Sequence, residues 1–189
     1  AHAPGQQLPP KLSEELEASG WMLARHPRGL WVATQAAEPG DEEEGVEDGA
    51  ALLDAIVRGY EAMIRVGRAV GPGHYANFHT TATCGGFGAA AAVASLMGLD
   101  VRATAWALGN AGQQASGLWQ VRNEPVFTKA LHNGRAAANG LASAFLAQRD
   151  FAGPLAIFEG PQGFFAAMCP GADPQDVVRD AEGAWAIHD

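Results

Sequence analysis

Residues 74–97 read HYANFHTTATCGGFGAAAAVASLM, and this stretch decides how the rest of the chain is interpreted. His74 and His79 lie in its polar first part, and its last nine residues contain only Ser95 as a polar side chain. A helix that is apolar on every side belongs in a protein interior, and alanines let neighbouring backbones approach at little cost in helix propensity. The stretch therefore predicts a histidine-bearing loop at the end of a buried helix, a common way to build a pocket in a helical protein.

The clearest helix around this centre covers residues 49–70. One half of its helical wheel is apolar, and the opposite arc carries Asp54, Arg58, Glu61, Arg65 and Arg68. A Gly-Pro-Gly sequence at 71–73 is expected to end it. Together with the all-apolar helix and five tryptophans, this broad apolar half suggests more apolar surface than 189 residues can cover.

Capping residues and helix breakers predict the other elements. Helices are expected at residues 13–24, 30–37, 101–115, 133–149, 161–168 and 173–184, with Asp100 and Asn133 as caps for the third and fourth of these. Strand signals are nearly absent. The predicted fold class is all-α, a helical bundle in which residues 1–12 form an N-terminal arm and residues 13–189 a single domain.

Composition narrows the possible partners. The chain has 189 residues, enough for one sizeable core, and its net charge of −9 argues against a nucleic-acid or anionic membrane surface. No apolar run reaches membrane-spanning length, and the N-terminus lacks a signal-peptide pattern.

The two cysteines, Cys84 and Cys169, form no metal-binding pattern. Two buried thiols in a reducing compartment are favoured, and a disulfide between them is the open alternative. The expected location is the cytoplasm.

His79 and Lys129 are the strongest candidates for catalytic residues. His79 lies among hydroxyl side chains beside a glycine turn, and a neutral imidazole is a suitable general base at physiological pH. Lys129 is one of only two lysines among twelve basic residues and precedes the helix predicted at 133–149. A partly desolvated ammonium group can bind a carboxylate or take part in proton transfer. The alternatives are that His79 is a structural histidine and Lys129 a surface lysine. For His74, a structural role is favoured.

A polar wall follows Lys129. His132, Arg135 and Asn139 recur at spacings of three and four residues, so they share one edge of a helix and could face an anionic ligand. A capped, solvated helix start explains the same pattern equally well. Cys84 could act as a nucleophile next to His79, but no orienting third residue is visible, and a buried thiol is favoured.

Short motifs along the chain resemble the MmgE/PrpD family, which includes 2-methylcitrate dehydratase, cis-aconitate decarboxylase and iminodisuccinate epimerase. They keep the family's order and approximate spacing over about residues 50–168, and they are specific as a set. The motifs are Gly59-Tyr60-Glu61, Gly67-Arg68-Ala69, Phe78-His79-Thr80, Thr83-Cys84-Gly85, Phe87-Gly88-Ala89-Ala90-Ala91, Ala107-Leu108-Gly109, Gln114-Ala115-Ser116-Gly117-Leu118, Thr128-Lys129, Leu131-His132, Gly134-Arg135-Ala136-Ala137, Gly153-Pro154, Glu159-Gly160-Pro161 and Gly163-Phe164-Phe165.

The resemblance implies a helical domain, a homodimer and chemistry on small polycarboxylates without an organic cofactor. No metal ligands are predicted. It implies catalytic roles for His79, Lys129 and His26, the last because His26-Pro27 is similar to a His-Pro of the family. His132 would be a pocket residue. Together with the polar wall, the substrate-binding candidates are His132, Arg135, Thr80 and Asn139.

Three interpretations follow from these residues. The first is a lyase of the dehydratase type that removes a proton α to a carboxylate of a di- or tricarboxylate, with decarboxylation and epimerisation starting from the same recognition. The second is a catalytically reduced helical subunit that dimerises or completes a split enzyme with a partner chain, because members of the family are longer and carry a second α/β domain. A small-molecule binding protein without chemistry is a third, weaker one.

Overall fold

A computed structural model of the chain describes residues 21–25, 31–35, 49–179 and 185–188. The chain forms two compact units, Ala1–Glu47 and Asp48–Asp189. The predicted arm at residues 1–12 lies outside the described residues, and the predicted domain boundary at residue 13 stays a prediction.

The described part of the first unit is an antiparallel pair of strands. Strand β1, Trp21–Arg25, pairs with β2, Trp31–Gln35, in a register that places Trp21 opposite Gln35. The helices predicted at 13–24 and 30–37 are therefore wrong over these strand residues, and residues 13–20 lie outside the described part. Short apolar runs do not distinguish helix from strand by periodicity. Here the tryptophans, Val32 and Thr34 favour a pleated backbone.

The second unit is a bundle of α-helices, which confirms the all-α class for the helical domain. Its helices are α1 (Gly49–Ala69), α2 (Gly71–Asn77), α3 (Thr80–Leu96), α4 (Val101–Gly112), α5 (Thr128–Gln148) and α6 (Phe164–Met168). Short 3₁₀ turns lie at Trp119–Arg122, Pro174–Val177 and Ala186–His188. Within the described ranges, no helix is long and apolar enough to cross a membrane.

Helix α3 is the buried centre of the bundle, as predicted. It contacts α1, α4 and α5, and small residues allow the close approach. A Cβ atom on Gly88 would lie 2.8 Å from the carbonyl oxygen of Gly59 in α1. A Cβ atom on Gly140 in α5 would lie 2.6 Å from the carbonyl oxygen of Gly86. The backbones of three helices therefore pack directly against one another.

The core beside α3 has two parts. Near the first half of α3, Phe87 stacks edge-on against Phe164, with ring centroids 5.2 Å apart, and both rings are buried. Near the second half, the core consists of alanines, namely Ala90, Ala107, Ala111, Ala144 and Ala147. The all-apolar pattern of α3 follows from this, because each face of the helix meets another element.

Several predicted boundaries differ from the observed ones. Helix α1 ends at Ala69, one residue from the prediction, but residues 71–77 form the short helix α2 and not a loop. Its start tolerates Pro72, because the first turn of a helix needs no backbone N–H at that position. The helix predicted at 161–168 begins later, at Phe164, and the described part of the one predicted at 173–184 is only the 3₁₀ turn Pro174–Val177.

The two predicted caps have different outcomes. Asp100 caps α4 as expected, since its Oδ1 accepts a hydrogen bond of 2.8 Å from the backbone N–H of Ala103. Asn133 is not a cap, because α5 begins five residues earlier at Thr128. This correction matters for the site: Lys129 and His132 both lie in the first turns of α5 and, three residues apart, share one side of that helix.

Candidate functional site

His79 occupies the N-cap position of α3, where the chain turns from extended backbone into the buried helix. Its backbone N–H donates a hydrogen bond of 2.9 Å to the carbonyl oxygen of Gly117, and Phe78 pairs with Leu118 in an isolated antiparallel bridge. Gly117 has a φ of 132°, and a Cβ atom there would lie 2.7 Å from the Cβ of Ala82. Glycine therefore allows the segment after α4 to lie against the start of α3.

The imidazole of His79 faces a second imidazole. Nδ1 of His79 lies 3.2 Å from Nδ1 of His132 on α5, and only 7% of the His79 residue surface is exposed. One of these two nitrogens must carry the shared proton. If His79 donates it, the neutral ring keeps its lone pair on Nε2. Among the described residues, no hydrogen bond to that Nε2 is present, so this tautomer leaves a basic nitrogen available.

The ring of Trp119 packs against that of His79, and two cationic side chains lie near the same indole. Its ring centroid is 4.5 Å from that of His79, and the residue is 8% exposed. Nζ of Lys129 lies 5.7 Å from the indole centroid, and the guanidinium carbon of Arg122 lies 4.8 Å from it. Tyr75 completes the cluster edge-on, with its ring centroid 5.6 Å from that of Trp119.

The environment keeps His79 neutral. Burial lowers the pKa of His79 from its ordinary value of 6.5, and the charges of His132 and Lys129 lower it further. A neutral imidazole can accept a proton at physiological pH, and a cation beside it can stabilise a negative charge that develops on a substrate. The arrangement thus combines a base with an electrostatic stabiliser.

An open cavity adjoins this cluster. It has a volume of about 580 Å³ and lies between the end of α2 and the 3₁₀ turn at Trp119–Arg122. We call it the Trp119 cavity; its lining residues are Ala76, Asn77, Leu118, Trp119, Gln120, Arg122 and Asn123. Its size lies within the range of roughly 300–1,000 Å³ that is typical of small-molecule sites.

The structure does not bring every predicted residue to this cluster. Thr80 lines a different cavity, of about 310 Å³, together with Gly67 and Cys84. Asn139 is buried and donates from Nδ2 to the carbonyl oxygen of Gln114 at 3.4 Å, so it joins α5 to the end of α4. Arg135 is exposed and makes no hydrogen bond or ion pair with the described residues. The substrate-binding roles expected for these three residues gain no geometric support.

His26 lies outside the described residues, and its predicted catalytic role stays a prediction. His74 is fully buried, and both of its ring nitrogens are used: Nδ1 lies 3.0 Å from the carbonyl oxygen of Met168, and Nε2 lies 2.8 Å from Oγ1 of Thr83. Because a carbonyl can only accept, Nδ1 carries the proton and Nε2 accepts from the hydroxyl. These contacts agree with the structural role favoured for His74.

The two thiols are buried, as predicted for Cys84. Burial raises the pKa of Cys84 to about 11 and that of Cys169 to about 12. Both thiols therefore stay protonated at neutral pH, and Cys84 does not have the thiolate character that a nucleophile needs. In the part of the chain that the structure describes, no group of three or more His, Cys, Asp and Glu residues could hold a metal ion.

Sequence reasoning missed Trp119 and Arg122. Residues 116–125 fall between the helices predicted at 101–115 and 133–149, and nothing in their composition separates a site loop from an ordinary one. The available signal was the spacing Trp-x-x-Arg between two helices. An arginine three residues after a tryptophan in a tight turn can stack on the indole ring, and this contact is present.

Comparisons with known proteins place this site in a wider context. Residues 13–176 match the sequence profile of the MmgE/PrpD N-terminal domain. The chain is also 33% identical over 165 residues to a cis-aconitate decarboxylase-like protein, oryM, of Aspergillus oryzae. That similarity covers 82% of this chain and 34% of the relative, so the chain matches about a third of the relative's length.

Proposed function

Because the chain belongs to the MmgE/PrpD family, we propose that its helical domain carries the acid–base residues of a lyase of the dehydratase type. The substrate class is a small di- or tricarboxylate. The observation that carries the proposal is the buried imidazole of His79, held by His132 and accompanied by the ammonium group of Lys129 at a single indole ring.

In the proposed reaction, Nε2 of His79 removes a proton from the carbon α to a substrate carboxylate. The C–H electron pair forms the new double bond, and the bond from the β-carbon to its hydroxyl oxygen breaks. The departing hydroxyl takes up a proton from solvent and leaves as water. The α-proton is weakly acidic, so a base alone is not sufficient. Lys129 stabilises the negative charge that develops on the carboxylate, which is usually the largest contribution to such a reaction.

His132 has a positioning role in this scheme. By accepting a hydrogen bond from the Nδ1–H of His79, it selects the tautomer in which Nε2 is free, and it holds the ring while Nε2 becomes protonated. Decarboxylation and epimerisation can begin with the same carboxylate recognition, and the Aspergillus oryzae relative is named as a decarboxylase-like protein. The buried free thiols Cys84 and Cys169 favour a reducing compartment, and we propose the cytoplasm.

The test compares His79→Ala and Lys129→Ala with the unchanged chain. Each is incubated with citrate and cis-aconitate in D₂O, and NMR measures both deuterium uptake α to the carboxylates and interconversion of the two acids. We expect both variants to lose these signals while circular dichroism shows an intact fold. Arg102→Gln is the matched control, because Arg102 stacks on Trp106, 4.9 Å from its centroid, at another part of the bundle. Full activity in both alanine variants would reject the proposal.

A second candidate function is a helical subunit that forms a dimer or completes an enzyme with a partner chain. The outer face of α1 favours it, because Leu52, Leu53, Ile56 and Tyr60 are between 40% and 65% exposed. Such apolar patches often mark protein interfaces. Light scattering should then give twice the monomer mass, and Leu53→Glu should return the monomer. A monomeric chain that converts a polycarboxylate would reject this second function.

A further inference from the structure

We propose that the Trp119 cavity is an anion subsite in which Arg122 and the indole N–H of Trp119 hold a second carboxylate of the substrate. The inference rests on the proposed function and extends it, because it assigns a residue pair that would select polycarboxylates over monocarboxylates. Neither residue belongs to the set predicted from the sequence.

The first observation is an unpaired donor. Nε1 of Trp119 is buried, as is 92% of the surface of the residue. This nitrogen has no hydrogen-bond partner among the described residues. Buried polar groups in native proteins are nearly always paired, and an exception needs an explanation. Trp119 lines the cavity, but Nε1 itself has almost no exposed surface. An acceptor bound in the cavity would therefore supply the missing partner once the indole edge turns toward it.

The second observation is an arginine held in place without an acidic partner. The guanidinium carbon of Arg122 lies 4.8 Å from the ring centroid of Trp119 and 5.9 Å from that of Tyr75. No carboxylate within the described ranges pairs with it, and the nearby Glu124 accepts a hydrogen bond of 2.7 Å from Gln120 instead. Stacking uses the faces of a guanidinium and leaves its N–H groups free to bind a carboxylate at two points.

The third observation is the position of this pair beside the proposed base. The same indole ring contacts His79 at a centroid distance of 4.5 Å and adjoins Lys129. The cavity also presents amide side chains, those of Asn77 and Asn123. One carboxylate group held by Arg122 and Trp119 would thus leave the remainder of a short polycarboxylate next to His79 and Lys129. Such an arrangement orients the α-carbon toward the base.

Titration of the ¹⁵N-labelled chain with propane-1,2,3-tricarboxylate, citrate and acetate tests the proposal. The chain has five tryptophans, and Trp119→Phe identifies the indole signal of Trp119 while keeping an aromatic ring. We expect a saturable downfield shift of that signal with both tricarboxylates and none at the same concentrations of acetate. Arg122→Gln should weaken tricarboxylate binding on the order of ten- to a hundredfold, the effect of losing a charged hydrogen-bonding partner.

The control is again Arg102→Gln, which removes the same charge from another stacked arginine–tryptophan pair. Equal weakening by both substitutions would show a general charge effect and overturn the proposal, as would an unshifted Trp119 signal. Because Arg122 is exposed, its substitution leaves the core intact even if Trp119→Phe fails to fold.

The outcome also separates this inference from the proposed function. If His79→Ala and Lys129→Ala abolish turnover while Arg122→Gln leaves the KM unchanged, the subsite is wrong and the lyase assignment stands. If the Trp119 signal responds as expected while His79→Ala keeps full activity, the anion subsite stands and the lyase assignment is wrong.

Discussion

Nδ1 of His79 and Nδ1 of His132 lie 3.2 Å apart, although 53 residues separate them in the chain. The first caps α3 and the second lies within α5, so the packing of these two helices sets the distance. Two neutral imidazoles in this geometry share one proton, and the direction of that hydrogen bond decides which nitrogen of His79 is basic.

This pairing predicts a kinetic difference between two substitutions of His132. His132→Leu removes the acceptor for the Nδ1 proton of His79, and kcat should fall roughly a hundredfold, near the lower end of the 10²–10⁴ that a general base contributes. His132→Asn keeps an acceptor oxygen and should restore part of the rate. Steady-state kinetics with citrate or cis-aconitate would check this, and equal rates for the two variants would contradict a positioning role.

The pH dependence of kcat/KM follows from the environment of His79. Its folded pKa lies below 6.5, chiefly because of burial. The base stays neutral to a pH below that value, so the proposed activity should persist there. Lys129→Met removes a positive charge that disfavours the imidazolium, so residual activity in this variant should decline at a higher pH than in the unchanged chain. A pH profile of both proteins measures the two midpoints, and a midpoint above 6.5 in the unchanged chain would contradict the prediction.

Two glycines of α5 should respond to alanine in opposite directions. A Cβ atom on Gly140 would contact the Cβ of Ala89 and lie 2.6 Å from the backbone N of Ala90, so Gly140→Ala should cost about 1–3 kcal/mol of unfolding free energy or more. Gly134, on the same helix, has open space around its Cβ position. Gly134→Ala should therefore stabilise by about 0.5–1 kcal/mol. Urea denaturation of both variants provides the comparison.

Acid should destabilise the fold through His74. Burial lowers its pKa below the ordinary 6.5, so between those two pKa values the unfolded chain binds a proton that the folded chain does not. The free energy of unfolding then falls as the pH drops below 6.5, at up to about 1.4 kcal/mol per pH unit for one proton. In His74→Gln this contribution should vanish, and urea titrations from pH 7 to about pH 5 compare the slopes. His79 has the same sign of effect, so the difference between the two proteins isolates His74. An unchanged slope would show that His74 protonates equally easily in both states.

The sequence predicted the parts of the fold that depend on repeating patterns. The apolar run of α3 and the helical periodicity of α1 predict two helices, and both are present where expected. The buried face of α1 consists of Ala55, Gly59, Val66 and Ala69, whereas large apolar residues such as Leu53 stay exposed. The strands Trp21–Arg25 and Trp31–Gln35 were missed because a five-residue apolar segment satisfies helix and strand patterns alike. The start of α5 was missed because Asn133 resembles a cap, whereas no side-chain cap is present at the observed start near Thr128.

The candidate site was predictable only in part, because local sequence does not show which residues meet in space. His79 and Lys129 carry distinctive chemistry in their local sequence, and His132 follows from helical spacing. Trp119 and Arg122 gain their importance from what surrounds them in space, namely an unpaired indole nitrogen and a cavity. Local spacing also suggested Asn139, but its side chain instead links α5 to the turn that follows α4.

Gly117 couples the position of His79 to the shape of the Trp119 cavity, although an engineer would want to vary the two separately. Its carbonyl oxygen accepts the hydrogen bond from the backbone of His79, and the residues that follow it form one wall of the Trp119 cavity. If the proposed polycarboxylate binds in this cavity, rebuilding the turn for a bulkier acid would therefore displace the imidazole as well. Variants of the turn selected for a new substrate should lose rate at first and regain it only through second changes around the start of α3.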